Sequence, residues 1–390
     1  MSQDAEPNIS APVPKVVLFV DHAAALGGAE RSLLLLFKYL DRAHWQPHLA
    51  CPPGPLAEAA RALGVPVHTF PLPRLRRSAR FPLDLLAHAA RLARLTGAIR
   101  ARALVANTVR ATFYTAPAAW LARRPFIWHM RDFWLSESRP RRPQFDTWGK
   151  RLLCAAATRV IANSQATAHH LPCPDRVRVI YNGIEVDRYD PLMEGTPFRE
   201  AHGIPRDVPL VGTVGRLRPW KGQDRFLRVL ARVRRIREDV WGVVVGGTPF
   251  QVEDDYPQRL RLLARELGVA DQVVFTGHLE DVRPALAAMD VFVHAGDPEP
   301  FGLVVVEAMA MAKPVVAFAH GALPEIVADG ETGLLVPPKD EEALAAALDS
   351  LLADSSRALR LGRAGRTRAA TRFTATRMAQ EVMSLLEESV

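Results

Sequence analysis

The chain has 390 residues, 48% hydrophobic and 24% charged, a soluble globular composition with apolar material for two cores rather than one. Its three cysteines, Cys51, Cys154 and Cys173, are odd in number and irregularly spaced, so they read as neither a disulfide framework nor a zinc site, and a reducing cytoplasm is the natural compartment. The formal net charge of +8 is uneven: residues 1–200 carry 27 Lys and Arg against 16 Asp and Glu, and residues 201–390 carry 23 against 26.

From the N-terminus, residues 1–14 read as a disordered tail of acids and prolines, and the apolar run that follows is too short for a signal-peptide core. Strand Val16–Val20 leads into helix Ala29–Leu40, strand Leu49–Cys51 and helix Pro55–Leu63. Strand Ala103–Ala106, helix Thr112–Leu121, strand Phe126–His129, helix Phe145–Ala156 and strand Val160–Ala162 continue the alternation. The pattern restarts with strand Leu210–Val214 and helix Arg225–Arg237, then strand Trp241–Val245 and helix Tyr256–Leu267. Strands Val273–Thr276, Val291–Val293 and Val315–Phe318 follow, with helices near 281–289, 302–312, 340–352 and 356–371.

Such βα alternation predicts parallel sheets covered on both faces. The expected architecture is α/β: two doubly wound Rossmann-like domains, 15–190 and 208–372, facing across a cleft, with a linker over 191–207. A last helix within 373–390 is expected to pack back on the first domain. No run approaches the roughly 18 uninterrupted apolar residues of a membrane span; the longest, residues 303–319, is broken by Glu307, Lys313 and Pro314.

Ligands of open parallel sheets bind outside the carboxyl ends of the strands, so the strand ends are where chemistry is sought. In "VDHAAALGGAERSLLLL" (residues 20–36), Gly27 and Gly28 stand between a strand and a helix. They either let a phosphate approach helix-terminal amides or simply make a tight turn. The spacing is not that of a dinucleotide fingerprint. In "VGTVGRLRPWKGQDRFLRVL" (residues 211–230), Arg216 and Lys221 can hold the oxygens of a diphosphate. "EPFGLVVVEAM" (residues 299–309) sets Glu299 in a loop and Glu307 inside a buried helix. Such carboxylates need charged or hydrogen-bonding partners, and the pair asks for a ligand. "FIWHMRDFW" (residues 126–134) ends a strand on His129, followed by Arg131 and Asp132. "HGALPEIVADGETGLLVPP" (residues 320–338), which contains Glu325, reads as a hairpin-like loop.

Taken in order from Val16 to about Phe373, these stretches resemble the retaining glycosyltransferases of family 4, which have the GT-B fold and include envelope-polysaccharide enzymes. The matching pieces are "GGAER" at 27–31, "VIANSQAT" at 160–167, "VIYNGIEVDRY" at 179–189, "GRLRPWKGQD" at 215–224, "FTGHLEDV" at 275–282, the pair Glu299/Glu307, and "PEIVADGETGLLVPP" at 324–338. The resemblance implies a nucleotide-diphosphate sugar as donor, with no resident cofactor and no metal requirement. It assigns Arg216 and Lys221 to the diphosphate, Glu299 and His129 to the donor sugar, and Glu307 to the ribose. Phe301, Gly302 and Leu303 would lie at the donor, the latter two offering amides to the phosphates. Gly27 and Gly28 would close over them, and the base would sit near Thr276, Gly277 and His278.

The acceptor implied is a glycan or a lipid-linked glycan. Residues 74–102 hold eight arginines against one acid, Asp84, with Leu83, Leu86, Ala90, Ala93 and Gly97 at roughly helical spacing. Either this is a solvated basic helix or it lies on an anionic membrane surface, at the inner face of the plasma membrane. Nucleic acid is not the expected partner, because base-stacking platforms need aromatics among the basic residues and these stretches carry few. A sugar-nucleotide epimerase or a noncatalytic nucleotide-sugar-binding protein of the same fold are the alternatives.

Overall fold

Val17, Phe19 and Val105 are fully buried on one face of their strands, and Leu18, Val20 and Ala106 on the other. Strands apolar on both faces must be covered by helices twice over, which is the condition of a central parallel strand. The computed structural model describes residues 13–73, 81–133, 143–248 and 255–390. The expected tail (to residue 12) and the arginines at 74–80 lie outside the described residues.

The chain forms two units. The first takes residues up to Ala162, Ala168–Ile180 and Met378–Val390; the second takes Asn163–Thr167 and Tyr181–Arg377. In the first, β1 (Lys15–Val20), β2 (Trp45–Cys51), β3 (Val67–Thr69), β4 (Ala103–Ala106), β5 (Phe126–Met130), β6 (Arg159–Ala162) and β7 (Val177–Val179) form a seven-stranded sheet. Its order is β3-β2-β1-β4-β5-β6-β7, and its pairings are parallel. The intervening helices are α1 (Gly28–Tyr39), α2 (Pro55–Ala62), α3 (Phe81–Ala98), α4 (Val109–Ala122) and α5 (Pro143–Ala156); the first three residues of α6 (Gln165–His169) belong to the second unit.

The second unit contains α7 (Thr196–Ala201), β8 (Leu210–Val214), α8 (Gln223–Arg234), β9 (Trp241–Val245), α9 (Tyr256–Glu266), β10 (Val273–Gly277) and α10 (Arg283–Ala288). It continues with β11 (Val291–His294), α11 (Leu303–Ala310), β12 (Val315–Phe318), α12 (Leu323–Ile326), β13 (Leu334–Val336), α13 (Glu341–Ala353) and α14 (Ser355–Arg372). Its sheet order is β10-β9-β8-β11-β12-β13, again parallel. In both sheets the order reverses beside the first strand: between β1 and β4, and between β8 and β11. The last helix, α15 (Ala375–Glu387), sends Met378, Ala379, Val382, Leu385 and Leu386 into the core of the first unit beside Leu33 and Phe37. Lys15 and Arg178 pair with Glu387 and Glu388 at the same end.

Two expectations change and two features are added. The stretch 191–207 is not a linker. It contains α7, buries Phe198 and Ile204 in the second unit's core, and holds the buried Arg199. That guanidinium donates to the carbonyls of Ala288, Pro205, Arg206 and Val208 and to the Asp290 carboxylate. The prolines and glycines there make turns around a packed helix, and the chain changes unit at Ile180–Tyr181 instead. Second, 320–338 is not a hairpin: it builds α12 and then β13, parallel to β12. Third, Glu325 of that stretch accepts the amides of Gln165 and Ala166 at 2.7 Å each, capping α6 with a negative charge where the helix terminus favours one. Fourth, β3 and β7 are strands of three residues at the sheet edges, too short to show a period.

The cysteines are also corrected. Cys154 and Cys173 form a disulfide, with Cα atoms 5.9 Å apart, while Cys51 is a buried free thiol. An odd count does not forbid one pair, and packing supplies the proximity. Arg176 donates to the carbonyls of Cys154, Ala155 and Ala157, at 3.1, 2.8 and 2.8 Å, fastening the turn that bears Cys173 onto the C-terminus of α5. Thiol titration of the denatured, unreduced chain is expected to count one free thiol; a count of three would remove the cross-link.

Candidate functional site

In the second unit the order reverses between β8 and β11, so the loops leaving these two strands diverge and leave room for a ligand. Arg216 and Lys221 lie on the loop after β8, and Glu299 lies on the loop after β11. Several bonds fasten the loops to each other. The Asp297 amide donates to the Trp220 carbonyl at 2.7 Å, and Arg225 reaches both the Ala295 carbonyl, at 2.8 Å, and Asp297 Oδ1, at 2.6 Å. Gly222, at the N-terminus of α8, has φ +72°, and a Cβ there would stand 2.0 Å from the Ala295 carbonyl oxygen. Glycine is what lets the turn bearing Lys221 close on the turn bearing Glu299.

The result is an ion pair between Lys221 Nζ and Glu299 Oε1. His294, the last residue of β11, brings Nε2 to 3.4 Å from the same oxygen. Burial works against the Glu299 charge, but Lys221 first and His294 next hold its carboxyl well below the usual carboxylate range. Glu299 is therefore ionised throughout the neutral range and is not a proton donor there. Both partners engage Oε1, and Oε2 has no hydrogen-bond partner among the described residues. Carboxylate oxygens only accept, so His294 donates through Nε2, and its buried Nδ1 has no hydrogen-bond partner among the described residues.

Arg216 is exposed, and its carbonyl accepts from Gln223 Nε2 at 3.0 Å. Gly302, φ +98°, opens α11; Leu303 is half-buried at its first position, where backbone amides have no intrahelical acceptor. The ring of Phe301 is only 3% exposed and packs with Tyr181 and Phe373 at 6.2 and 5.8 Å, so it anchors the loop to the core. Glu307 is half-buried and meets the Tyr189 hydroxyl, whose pKa is driven above its ordinary value by burial and then by Glu307. Thr276 and Gly277 end β10, where the Gly277 carbonyl accepts from the Gly246 amide at 2.9 Å; His278 beyond them is exposed.

The first unit repeats the arrangement at the β1/β4 reversal. Asp21 follows β1, Asn107 follows β4, His129 is the penultimate residue of β5 and Arg131 follows that strand; all four are buried. Asn107 Nδ2 donates to Asp21 Oδ2 at 2.6 Å, and Arg131 Nε donates to Asn107 Oδ1 at 2.6 Å. Arg131 also donates to Ser32 Oγ at 2.7 Å and to His129 Nδ1 at 3.3 Å. Burial, with Glu30 adding to it, pushes the Asp21 carboxyl up to about 7. The Gly27 amide, proposed to bind a phosphate, donates a hydrogen bond to Glu30 Oε2 at 2.8 Å. The helix terminus thus already holds one of the chain's own carboxylates, and Gly28 begins α1 directly behind it.

Sequence reading missed Asp21, Asn107, Tyr189 and His294 as members of these clusters. A signal existed for three of them: each ends or directly follows a strand that is otherwise apolar. Tyr189 had none beyond its place in a matched stretch.

Two doubly wound units with polar clusters at their sheet reversals define a ligand-binding α/β protein of the Rossmann-like class. Residues 26–188 match Glycosyltransferase Family 4, and residues 196–368 match Glycosyl transferases group 1. The chain is 31% identical to the lipopolysaccharide core biosynthesis mannosyltransferase LpsB of Rhizobium meliloti, covering 62% of this chain and 68% of that protein. It is 41% identical to the GDP-mannose-dependent alpha-(1-6)-phosphatidylinositol monomannoside mannosyltransferase of Mycolicibacterium smegmatis, covering 47% and 49%. Among solved structures it resembles Anabaena Alr3699/HepE in complex with UDP-glucose, at 28% identity and TM-score 0.81, over 96% of this chain and 99% of that one. The chain spans about half the length of the first curated relatives it matches. It belongs to the group 1 glycosyltransferases of family 4, and the expected pair of parallel-sheet units is the fold observed.

Gly222→Ala would drive a methyl group into backbone atoms of residues 295 and 296 in a left-handed conformation. A loss of about 3 kcal/mol is expected, read as a lower urea midpoint; an unchanged midpoint would mean the two loops are not held together as described.

Proposed function

We propose that the chain transfers a sugar from a nucleotide-diphosphate sugar to a glycan or lipid-linked acceptor, with retention of anomeric configuration, in cell-envelope polysaccharide or glycolipid synthesis. The observation that carries this reading is the open Glu299 Oε2 beside Lys221 at a sheet reversal. A carboxylate there accepts sugar hydroxyls while the cations meet the diphosphate. The names of relatives agree in kind: two are mannosyltransferases, of lipopolysaccharide core and of a phosphatidylinositol mannoside, and the solved neighbour holds UDP-glucose.

In the proposed reaction the bond from the anomeric carbon to the phosphate oxygen breaks as the acceptor oxygen bonds to the same face. The acceptor's proton passes to the departing phosphate. Negative charge grows on the diphosphate, and cationic groups or amides aimed at it contribute a few kcal/mol each. Lys221 and Arg216 take that role, with the Gly302 and Leu303 amides, so the proposal needs no metal. Glu299 positions the sugar and offsets positive charge at the ring; it is not a nucleophile. Glu307, released from Tyr189, takes the ribose diol, and the end of β10 at Thr276–His278 takes the base. In the first unit, His129 is assigned to a sugar oxygen and the Gly27–Gly28 turn to a phosphate oxygen, which would require Glu30 to yield.

We place the chain in the cytoplasm, at the inner face of the membrane; the Cys154–Cys173 disulfide removes the cysteine argument for a reducing compartment, so the placement rests on relatives named for a phosphatidylinositol mannoside and for lipopolysaccharide core. Among the described residues no helix is long and apolar enough to cross a membrane. α3 instead exposes Leu83 and Leu86, at 69% and 57%, with Arg91 and Arg94 also exposed on it, as an anionic surface would require.

A metal-free panel of UDP- and GDP-sugars tests the reading by thermal shift and nucleotide release. One donor at 100-fold its Kd is expected to stabilise the wild type by about 2.7 kcal/mol and to release nucleoside diphosphate, with the shift lost in Glu307→Ala. No shift with any sugar nucleotide would contradict the assignment. Cosedimentation with anionic vesicles is expected to fall about tenfold in Leu83→Glu/Leu86→Glu; equal sedimentation would remove the membrane contact.

A further inference from the structure

Arginine side chains donate hydrogen bonds and never accept them. The contact of 3.3 Å between an Arg131 terminal nitrogen and His129 Nδ1 therefore requires Nδ1 to be the unprotonated, accepting nitrogen. Burial, with Arg131 adding to it, holds the His129 pKa well below its ordinary value, so the ring is neutral and carries one proton. That proton is on Nε2. Among the described residues this buried Nε2 has no hydrogen-bond partner.

Arg131 itself is held by groups that can only accept from it or are arranged to. Asn107 gives its amide nitrogen to Asp21 Oδ2, which turns its oxygen toward Arg131 Nε. Ser32 accepts from a second Arg131 nitrogen and directs its own proton to Met378 Sδ, 3.4 Å away. The donor direction thus runs one way, from the guanidinium outward, and ends on the imidazole.

We propose that Arg131 is a positioning residue that fixes His129 as its Nε2–H tautomer, making His129 a hydrogen-bond donor to an oxygen of the sugar substrate and ruling it out as a general base at that nitrogen. The tautomer follows from these contacts alone. The identity of the oxygen rests on the proposed glycosyl transfer, and it belongs either to the donor sugar or to the acceptor glycan. A buried N–H without an acceptor costs about 1–3 kcal/mol, and an incoming hydroxyl or ring oxygen removes that cost.

The test is nitrogen NMR of the full-length protein labelled with ¹⁵N-histidine, in wild type, His129→Gln (to assign the ring) and Arg131→Met. The wild-type ring is expected to show a protonated Nε2 and an unprotonated Nδ1 between pH 6 and 8. A protonated Nδ1, or an imidazolium, would overturn the proposal whatever the activity. Arg131→Met is expected to mix the tautomers; an unchanged Nε2–H ring in a folded variant would take the role from Arg131. If that variant does not fold, the wild-type spectrum decides alone. In turnover, His129→Gln can place an N–H near the Nε2 position and His129→Asn cannot, so the Asn variant is expected to lose about tenfold more than the Gln variant. Equal losses would exclude a donor role. The substrate whose KM rises in His129→Asn, donor or acceptor, identifies the source of the oxygen. Absence of any turnover in the wild type would defeat the proposed function and leave the tautomer result standing.

Discussion

A buried carboxylate is costly unless a charge or donor meets it, and the second unit is organised around meeting one. Glu299 is satisfied by Lys221 from the loop after β8 and by His294 from the end of β11. Those two strands are neighbours only because the sheet order reverses there. The loops can touch only because Gly222 has no side chain. Sheet order, turn geometry and charge placement are thus three conditions for a single ion pair. In the proposed reaction a diphosphate competes with Glu299 for Lys221, and Glu299 then needs sugar hydroxyls in exchange. In that proposal, recognition of the two ends of the donor is coupled through the Glu299 carboxylate.

The same economy recurs elsewhere. Glu307 rests against Tyr189, Glu30 against the Gly27 amide, and Asp21 against Asn107 and the Ala23 amide. The paired acids need partners, and in this structure the chain supplies them. Exchanging an internal partner for a substrate group lowers the net gain from binding, but it keeps the site folded when no substrate is present.

Much of the fold was legible because the central strands are buried on both faces and read as unbroken apolar runs. What was lost had identifiable causes. β3 and β7 are three residues long. The supposed linker contains α7, whose burial of Phe198 and Arg199 is set by contacts with distant residues such as Ala288 and Asp290. The Cys154–Cys173 cross-link depends on Arg176 folding a turn against a helix end, which no spacing reveals. The residues expected at the site stand near strand ends, in the loops after them or at helix starts, except Glu307, which lies inside α11. Their partners did not show, because Tyr189, His294 and Asn107 acquire meaning only once the sheet order brings two loops together. The ring of Phe301, inside a matched stretch, also packs in the core.

The coupling between Lys221 and Glu299 is the most direct test. Lys221→Met, Glu299→Gln and the double variant would be compared by kcat/KM with UDP-glucose, UDP-N-acetylglucosamine and GDP-mannose as donors. If the two residues act as one unit, the double variant loses little beyond the worse single variant, a coupling of about 1–3 kcal/mol. Losses that simply add would contradict the account, because each residue would then act independently.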